Sequence, residues 1–342
     1  MLTKVSEDLT FYDARAQQLV INGVQQFLPD GRIRYDGLTN GAVAGKTSTS
    51  GGGNNDLIIA NSSKGSAYTA GVSASKSWTS GIDFSIGYAR SNLRDLTPGL
   101  FFGTTAGSFY GSSPALQDPN HDYLGRSAYE IRNREKAEFG YHHNWFGDNE
   151  TRISLFAERQ DGRPYSFIMS DLTSGRGPVF GVTKTAQALY VPDLNNVVGL
   201  KAGLVYFATQ GDLDNFRRYA TNFGLNPNEL TSKYSKTNAA INRLDLSVSQ
   251  QLPTPIAGHK IRIQADVRNL LNMMNHDWGR VNEYGDTSLA RVQCADANGV
   301  AQTAASAVCT NYRYSNVPTT VQKQINQNLS LWYAQISLRY EF

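Results

Sequence analysis

Few residues in this chain have the types and spacing that catalysis requires. Residues 41–48 read GAVAGKTS and resemble a phosphate-binding loop, but the Walker pattern needs a glycine where Asn40 stands. The chain has no Gly-x-Ser-x-Gly elbow and no spacing that suggests a cysteine–histidine nucleophile. We therefore predict that the chain is not an enzyme and that it binds no cofactor.

The histidines and acidic residues do not suggest a metal site either. His142 and His143 are adjacent, so on a strand their side chains point to opposite faces and cannot bind one ion together. The remaining histidines are isolated in the sequence, and the acidic loop residues do not continue into a calcium-binding loop. These isolated residues are His121, His259 and His276, with Asp118, Asp122, Asp212 and Asp214. We predict no metal.

Cys294 and Cys309 flank a segment of mostly small residues. Neither has a close cysteine or histidine partner, which disfavours zinc. Their spacing suits a local disulfide loop in an oxidising compartment, and we expect them to pair; two free thiols are the alternative.

The composition narrows the class of protein further. The 32 basic and 29 acidic residues are interspersed, the net charge is +3, and no basic block stands out, so we predict no nucleic-acid partner. No run of eighteen apolar residues occurs, so no helical membrane span is expected. The opening MLTKVSEDLT lacks the apolar core of a secretory signal.

The elements that must position these residues are strands with strict alternation. Counting back from Phe342, every second residue is apolar and the residues between are mostly polar. The apolar series is Tyr340, Leu338, Ile336, Ala334 and Trp332. The same period recurs at 82–88, 152–158, 243–249 and 260–268. A strand with one apolar and one polar face suits a membrane-spanning β-barrel. An amphipathic strand of a soluble β-sandwich is the alternative.

The connections alternate between short and long. Short turns follow Trp78, Trp145 and Leu252, and long polar segments cover roughly 38–65, 95–127, 163–180, 207–238 and 284–320. This alternation is typical of periplasmic turns and extracellular loops. It predicts an all-β, antiparallel transmembrane β-barrel portion of about eleven strands, with Trp78, Trp145, Tyr340 and Phe342 near the periplasmic rim. Segment 211–230 breaks the pattern and suggests a short helix in an external loop.

Several segments together resemble the C-terminal part of a TonB-dependent outer-membrane receptor of the Oar-like branch. They are Gly162–Ser166 (GRPYS), Leu189–Pro192 (LYVP), NRLDLSVSQQLP at 242–253, GHKIRIQADVRNLLNMMNHDWGR at 258–280, and the closing RYEF. The most specific piece is Asn269-Leu270-Leu271-Asn272 followed by Trp278-Gly279. The similarity covers most of the chain in consistent order.

The resemblance implies a 22-stranded barrel that encloses a plug and is driven by TonB through a box before the plug. We recognise no signal peptide, plug or TonB box in this sequence, so we interpret residues 1–342 as the C-terminal part of such a barrel. The expected location is the outer membrane of a Gram-negative bacterium. The expected partners are the outer-membrane lipid bilayer, the barrel-assembly machinery, the TonB complex through the missing N-terminal region, and an unidentified small ligand.

Three functions remain open: TonB-energised uptake of a siderophore, oligosaccharide, peptide or similar ligand; a cell-surface or adhesion protein; and a small passive pore. For uptake, the expected ligand contacts are loop aromatics and lumen charges, namely Tyr110, Tyr123, Tyr165, Phe167, Tyr312, Arg262, Asp266 and Arg268. For the closing strand, the resemblance implies an assembly signal carried by Trp332, Ile336, Leu338, Tyr340 and Phe342.

Overall fold

The computed structural model describes residues 2–5, 8–36, 56–96, 110–111, 114–171, 177–184, 187–256, 258–304 and 307–342, with residues 2–5 described by backbone only. Strands make up 51% of the structure and helices 8%, which confirms a predominantly β fold. The strands form one large sheet and a set of smaller ones.

The large sheet is antiparallel and follows the sequence order of its strands. Its members are β1 (Leu2–Val5), β6 (Ser66–Ser77), β7 (Ile82–Asp95), β9 (Asn133–Phe146), β10 (Asn149–Gln160), β20 (Ile241–Pro253), β21 (Lys260–Arg268) and β27 (Tyr333–Glu341). A two-residue strand, β8 (Gly125–Arg126), pairs with the end of β7. Within the described residues β1 and β27 each pair with one neighbour, so the sheet has two edges.

Short turns join the strands at one end of this sheet. Trp78–Gly81 close the β6–β7 hairpin, with the Gly81 amide donating to the Trp78 carbonyl at 3.0 Å. Gly81 has φ +86°, a conformation that costs glycine little. Residues 147–148 join β9 to β10, and 254–259 join β20 to β21. All three short connections agree with the sequence prediction.

The other end of the sheet carries the long connections 6–65, 96–132, 161–240 and 269–332. These connections contain the remaining strands, most of only two to six residues. They are β2 (Asp8–Asp13), β3 (Val20–Ile21), β4 (Val24–Gln25), β5 (Leu57–Ser62), β11 (Pro164–Tyr165), β12 (Phe167–Asp171), β13 (Gln187–Ala188), β14 (Tyr190–Val191), β15 (Val197–Val198), β16 (Lys201–Ala202), β17 (Val205–Phe207), β18 (Glu229–Leu230), β19 (Lys236–Thr237), β22 (Asn282–Glu283), β23 (Thr287–Ala295), β24 (Ala301–Gln302), β25 (Asn311–Ser315) and β26 (Gln324–Ile325).

A second sheet, with strand order β13-β12-β23-β25-β17-β16-β15, draws on two of these connections. It is mixed, because β12 pairs parallel with β23 and β17 pairs parallel with β25. Around it lies the hydrophobic core, which includes Phe207, Phe216 and Tyr314. Among the described side chains, none from the strands on the large-sheet path belongs to this core. We call the folded long connections the cap.

The described part of the cap includes the helices α1 (Gln210–Asn222), α2 (Leu270–Met274) and α3 (Gln327–Ser330). The Thr209 hydroxyl caps α1 by accepting from the Asp212 amide at 3.1 Å. This confirms the short helix expected within 211–230. In the part of the chain that the structure describes, no helix has the length and apolarity to cross a membrane.

Within the described residues the large sheet has nine strands, eight of them on its main path, which is fewer than the expected count of about eleven. Segments 163–180 and 207–238 were expected to be separate loops, but both belong to the single connection 161–240. The residues between them do not alternate; 187–192 are buried at every position. A strand that is buried on both faces must pack against other segments on both sides, and the cap core provides these neighbours.

Candidate functional site

A polar cavity of about 400 Å³ lies where the long connections meet the end of β7. Its wall combines residues of β7, the segment around β8, and the segment before β19. The chemically relevant lining residues are Arg94, Tyr123, Arg126, Glu130, Arg132 and Thr237. We call this cavity the basic pocket.

The carboxylate of Glu130 organises the guanidinium groups of the basic pocket. Its Oε1 accepts from Arg126 Nε at 2.7 Å and from Arg132 Nε at 3.0 Å, and its Oε2 accepts from the Leu93 amide at 2.9 Å. Glu130 is 1% exposed, so these charge-assisted bonds replace the water it loses. Arg126 also donates from Nη1 to Thr237 Oγ1 at 2.6 Å.

A buried ion pair fixes the wall behind the pocket. Lys233 Nζ donates to Asp95 Oδ1 at 2.8 Å and to the carbonyls of Asp95 and Leu96 at 2.9 and 3.0 Å. A Cβ added at Gly125 would lie 2.7 Å from the Cβ of Lys233, so β8 can approach this closely only as glycine. Burial raises the pKa of the neighbouring Tyr234 hydroxyl, which keeps it protonated.

Of the five aromatic residues predicted to contact a ligand, Tyr123 lines the basic pocket. The other four, Tyr110, Tyr165, Phe167 and Tyr312, are at most 4% exposed, and their ligand role stays a prediction. Their rings pack within the protein, as in the edge-on contact between Tyr165 and Phe167 at 5.6 Å. Burial also raises the pKa of Tyr165 to about 12. The sequence predicts that an aromatic residue in a long polar segment lies in an exposed loop. In the structure, these segments form a hydrophobic core of their own.

The three predicted lumen charges share the polar face of the large sheet but do not form one cluster. Arg262 lies 3.7 Å from both Glu150 and Glu341. Asp266 accepts from Gln264 Nε2 at 2.9 Å. The Arg268 guanidinium donates to the Tyr333 hydroxyl at 3.1 Å and lies 5.6 Å from the centre of its ring. Their ligand role stays a prediction.

A charged residue that sequence reasoning missed lies on this polar face near the cap end of β10. Glu158 is 7% exposed and lies 2.6 Å from Arg134, 3.3 Å from Arg243 and 3.9 Å from Lys136. The signal was present in the alternation, because Glu158 occupies a polar position of β10. Which cations it meets depends on strand register, since Lys136 and Arg243 are its cross-strand partners.

The opposite face of the large sheet is apolar, and the register aligns its side chains in rows. One row runs from Phe84 through Phe139, Leu155, Leu246 and Val267 to Ala334. The next runs from Ile82 through Tyr141, Ile153, Val248 and Ala265 to Ile336. Toward the cap the apolar rows end at Glu135 and Arg159, whose charged atoms lie 3.6 Å apart.

This apolar face is solvent-exposed in the isolated chain. Ile336 is 80% exposed, Leu338 73% and Phe342 95%. The remaining residues of the expected assembly signal, Trp332 and Tyr340, are also about half exposed. They lie on the same face, as the alternation predicts; whether they direct assembly stays a prediction.

Cys294 and Cys309 form a disulfide, and both are buried in the cap core. The bond ties the end of β23 to the segment that enters β25. Among the described residues no three histidine, cysteine or acidic side chains are grouped to hold a metal ion. The segment 41–48 lies outside the described residues.

Comparison with family models, curated proteins and solved structures finds no match to this chain.

Proposed function

We propose that this chain forms part of the wall of an outer-membrane β-barrel that serves as a receptor and transporter for TonB-energised uptake of a small ligand. The single observation that carries this proposal is the arrangement of the large sheet. Its apolar rows are exposed, and charged residues such as Glu158 and Arg243 lie on the opposite face. In water such an extended apolar face is unfavourable, whereas a barrel turns it toward lipid.

Three further features support the barrel. Short turns at one end and long connections at the other match the usual division between periplasmic and extracellular sides. Aromatic residues Trp78, Trp145 and Tyr340 lie at the short-turn end, where an interfacial girdle is expected. In this proposal the cap lies outside the cell, and an oxidising environment there would suit its disulfide.

Uptake through TonB rests on the resemblance of segments such as 242–253 and 258–280 to the receptor family. The two edges at β1 and β27 disfavour a passive pore formed by this sheet alone, because unpaired backbone groups are costly in lipid. Growth on a scarce ligand that depends on both this gene and TonB would support uptake. Growth unaffected by loss of TonB would exclude it.

Lipid contact can be tested with one matched pair of substitutions on β27. Ile336 lies on the apolar face and its neighbour Ser337 on the polar face. In assembly of the 342-residue chain into lipid vesicles, Ile336→Lys is expected to reduce the protease-protected fraction strongly. A cationic side chain at the middle of the lipid face costs about 2–4 kcal/mol.

Ser337→Lys, which adds the same charge on the other face, is expected to insert like the unmodified chain. Equal insertion of both variants would refute lipid contact by the apolar face. Equal loss in both would show that charge on β27 itself, and not lipid exposure, governs insertion.

A further inference from the structure

We propose that the basic pocket binds the phosphate group of a soluble phosphorylated solute. Neither the resemblance nor the barrel proposal assigns this site; only the preference for a soluble solute over a lipid headgroup rests on the proposed barrel. Arg94, Arg126 and Arg132 supply three guanidinium groups to one cavity of about 400 Å³.

The pocket carries an excess of positive charge. Lys233 is neutralised by Asp95, with their charged atoms 2.8 Å apart. Glu130 is then the single carboxylate among the residues that line the pocket, and it pairs with Arg126 and Arg132. Two positive charges remain without a counter-charge among the lining residues, which matches the charge of nearly two on a phosphate monoester near neutral pH.

The strand pairing places like charges side by side. Arg94 of β7 is the direct partner of Arg126 of β8, so both side chains lie on one face of the pair. Like charges at directly opposed positions destabilise a sheet. Within the part of the chain that the structure describes, no hydrogen bond or ion pair engages the Arg94 guanidinium. An anion between Arg94 and Arg126 would remove this repulsion.

Spare donors point into the same space. Arg126 uses Nε and Nη1 within the protein, and Arg132 uses Nε, which leaves Nη2 of Arg126 and both outer nitrogens of Arg132 for a ligand. The Arg132 side chain is 45% exposed, so its outer nitrogens are accessible. A planar guanidinium group can donate two parallel hydrogen bonds to two oxygens of one phosphate, so a pocket lined by arginines suits a phosphate group. The half-buried Tyr123 ring completes the wall and suits the carbon skeleton of the solute.

The height of the pocket favours a soluble phosphate over a phospholipid headgroup. Arg94 follows Tyr88, the last apolar residue of its face of β7, by six positions. At about 3.3 Å per residue that is roughly 20 Å along the strand, or about 15 Å above the apolar rows for a strand tilted by about 40°. The headgroup layer on each side of a bilayer is only about 5–7 Å thick.

The test uses the full 342-residue chain in detergent micelles, with inorganic phosphate as the probe and calorimetry as the readout. Arg94→Gln and Arg132→Gln are each expected to weaken phosphate binding about tenfold, because each loses a charge-assisted contact. Arg90→Gln is the matched control: Arg90 lies on the same face of β7, also exposed, but outside the pocket. It is expected to bind phosphate within about twofold of the unmodified chain.

A stability measurement separates ligand binding from a structural role. Without phosphate, Arg94→Gln is expected to melt at the same temperature as the unmodified chain or higher, because the repulsion with Arg126 is relieved. With phosphate, the unmodified chain is expected to gain more than the variant. A lower melting temperature of Arg94→Gln without phosphate would overturn the site.

Three other results would also overturn it. They are no phosphate binding by the folded chain, equal loss in Arg90→Gln and Arg94→Gln, and binding to phosphatidylglycerol vesicles without binding to inorganic phosphate. Because binding in micelles does not require insertion, failure of this site is distinguishable from failure of the Ile336→Lys and Ser337→Lys comparison.

Discussion

The side-chain amide of Asn269 occupies the space that a Cβ at Gly279 would fill. Asn269 ends β21 in the left-handed region at φ 54° and is 2% exposed. Its Nδ2 donates to the carbonyls of Gly279 and Ser330 at 3.1 and 2.8 Å, and its backbone amide donates to Asp245 at 2.9 Å. The most specific sequence motif of the chain is thus a turn that joins β21, α2 and α3.

Gly279→Ala is expected to destabilise the chain through this contact. Gly279 has φ +61°, so alanine there incurs backbone strain of about 1–2 kcal/mol and a further overlap with Asn269 of about 1–3 kcal/mol. Gly147→Ala is the matched control, because Gly147 has φ +64° with nothing within 4 Å of an added Cβ. Urea unfolding in micelles measures the free energy of unfolding of both variants. Equal losses of this free energy would contradict the close packing of Gly279 against Asn269.

Glu158→Gln is expected to lower the free energy of unfolding by about 1–3 kcal/mol, because it leaves Arg134 and Arg243 without their carboxylate. Glu135→Gln removes the exposed pair with Arg159 and is expected to cost about 0.5 kcal/mol or less. Denaturant titration of the two variants checks the difference. Similar losses of unfolding free energy in the two variants would mean that Glu158 is as fully hydrated as the exposed Glu135–Arg159 pair.

The double substitution Cys294→Ser/Cys309→Ser is expected to destabilise the cap by about 3 kcal/mol, the value for a closed loop of about 15 residues. Near-ultraviolet circular dichroism during unfolding reports on the cap aromatics. The unmodified chain under reducing conditions should lose the same amount. A loss in the double variant but none on reduction would point to the serine hydroxyls in the buried core, not to the lost bond.

Deletion of Phe342 is expected to reduce assembly into vesicles several-fold, because it removes one aromatic side chain that contributes about 1.5–3 kcal/mol when fully buried. Its ring lies 6.2 Å from that of Tyr340 on the apolar face. Glu341→Gln, on the polar face, serves as the control. Unchanged insertion of the deletion variant would argue against an assembly role for the terminal residue.

The carboxyl group of Asp118 makes the stability of the cap depend on pH in the acidic range. Desolvation alone would raise its pKa, but hydrogen bonds from His121, the Asn120 amide and the Tyr35 hydroxyl lower it below 3.8. A depressed pKa gives stability that is present above 3.8 and lost as the pH falls through the folded value. Asp118→Asn is therefore expected to be less stable than the unmodified chain at pH 5, by about 1 kcal/mol, with the gap shrinking as the pH falls below 3.8. A gap that does not change with pH would exclude this linkage.

The alternation of the sequence predicted the strands of the large sheet well, because two-residue periodicity survives any choice of partner. The turns at Trp78–Gly81 and 147–148 were equally readable, since their residues determine local backbone geometry. The strand count failed at 187–207, where alternation disappears. There the burial of Leu189 and Val191 depends on distant segments that no local pattern reveals.

The sequence by itself determined which side chains of each strand share a face, where the short turns fall, and that α1 interrupts a long connection. Only the tertiary structure decided that Phe167 pairs with Thr287, that Glu158 meets Arg243, and that Arg94 lies beside Arg126. The physical reason is the distance along the chain over which each kind of interaction acts. Periodicity and turn chemistry act between residues a few positions apart, whereas register and long-range pairing depend on the packing of segments far apart in the chain.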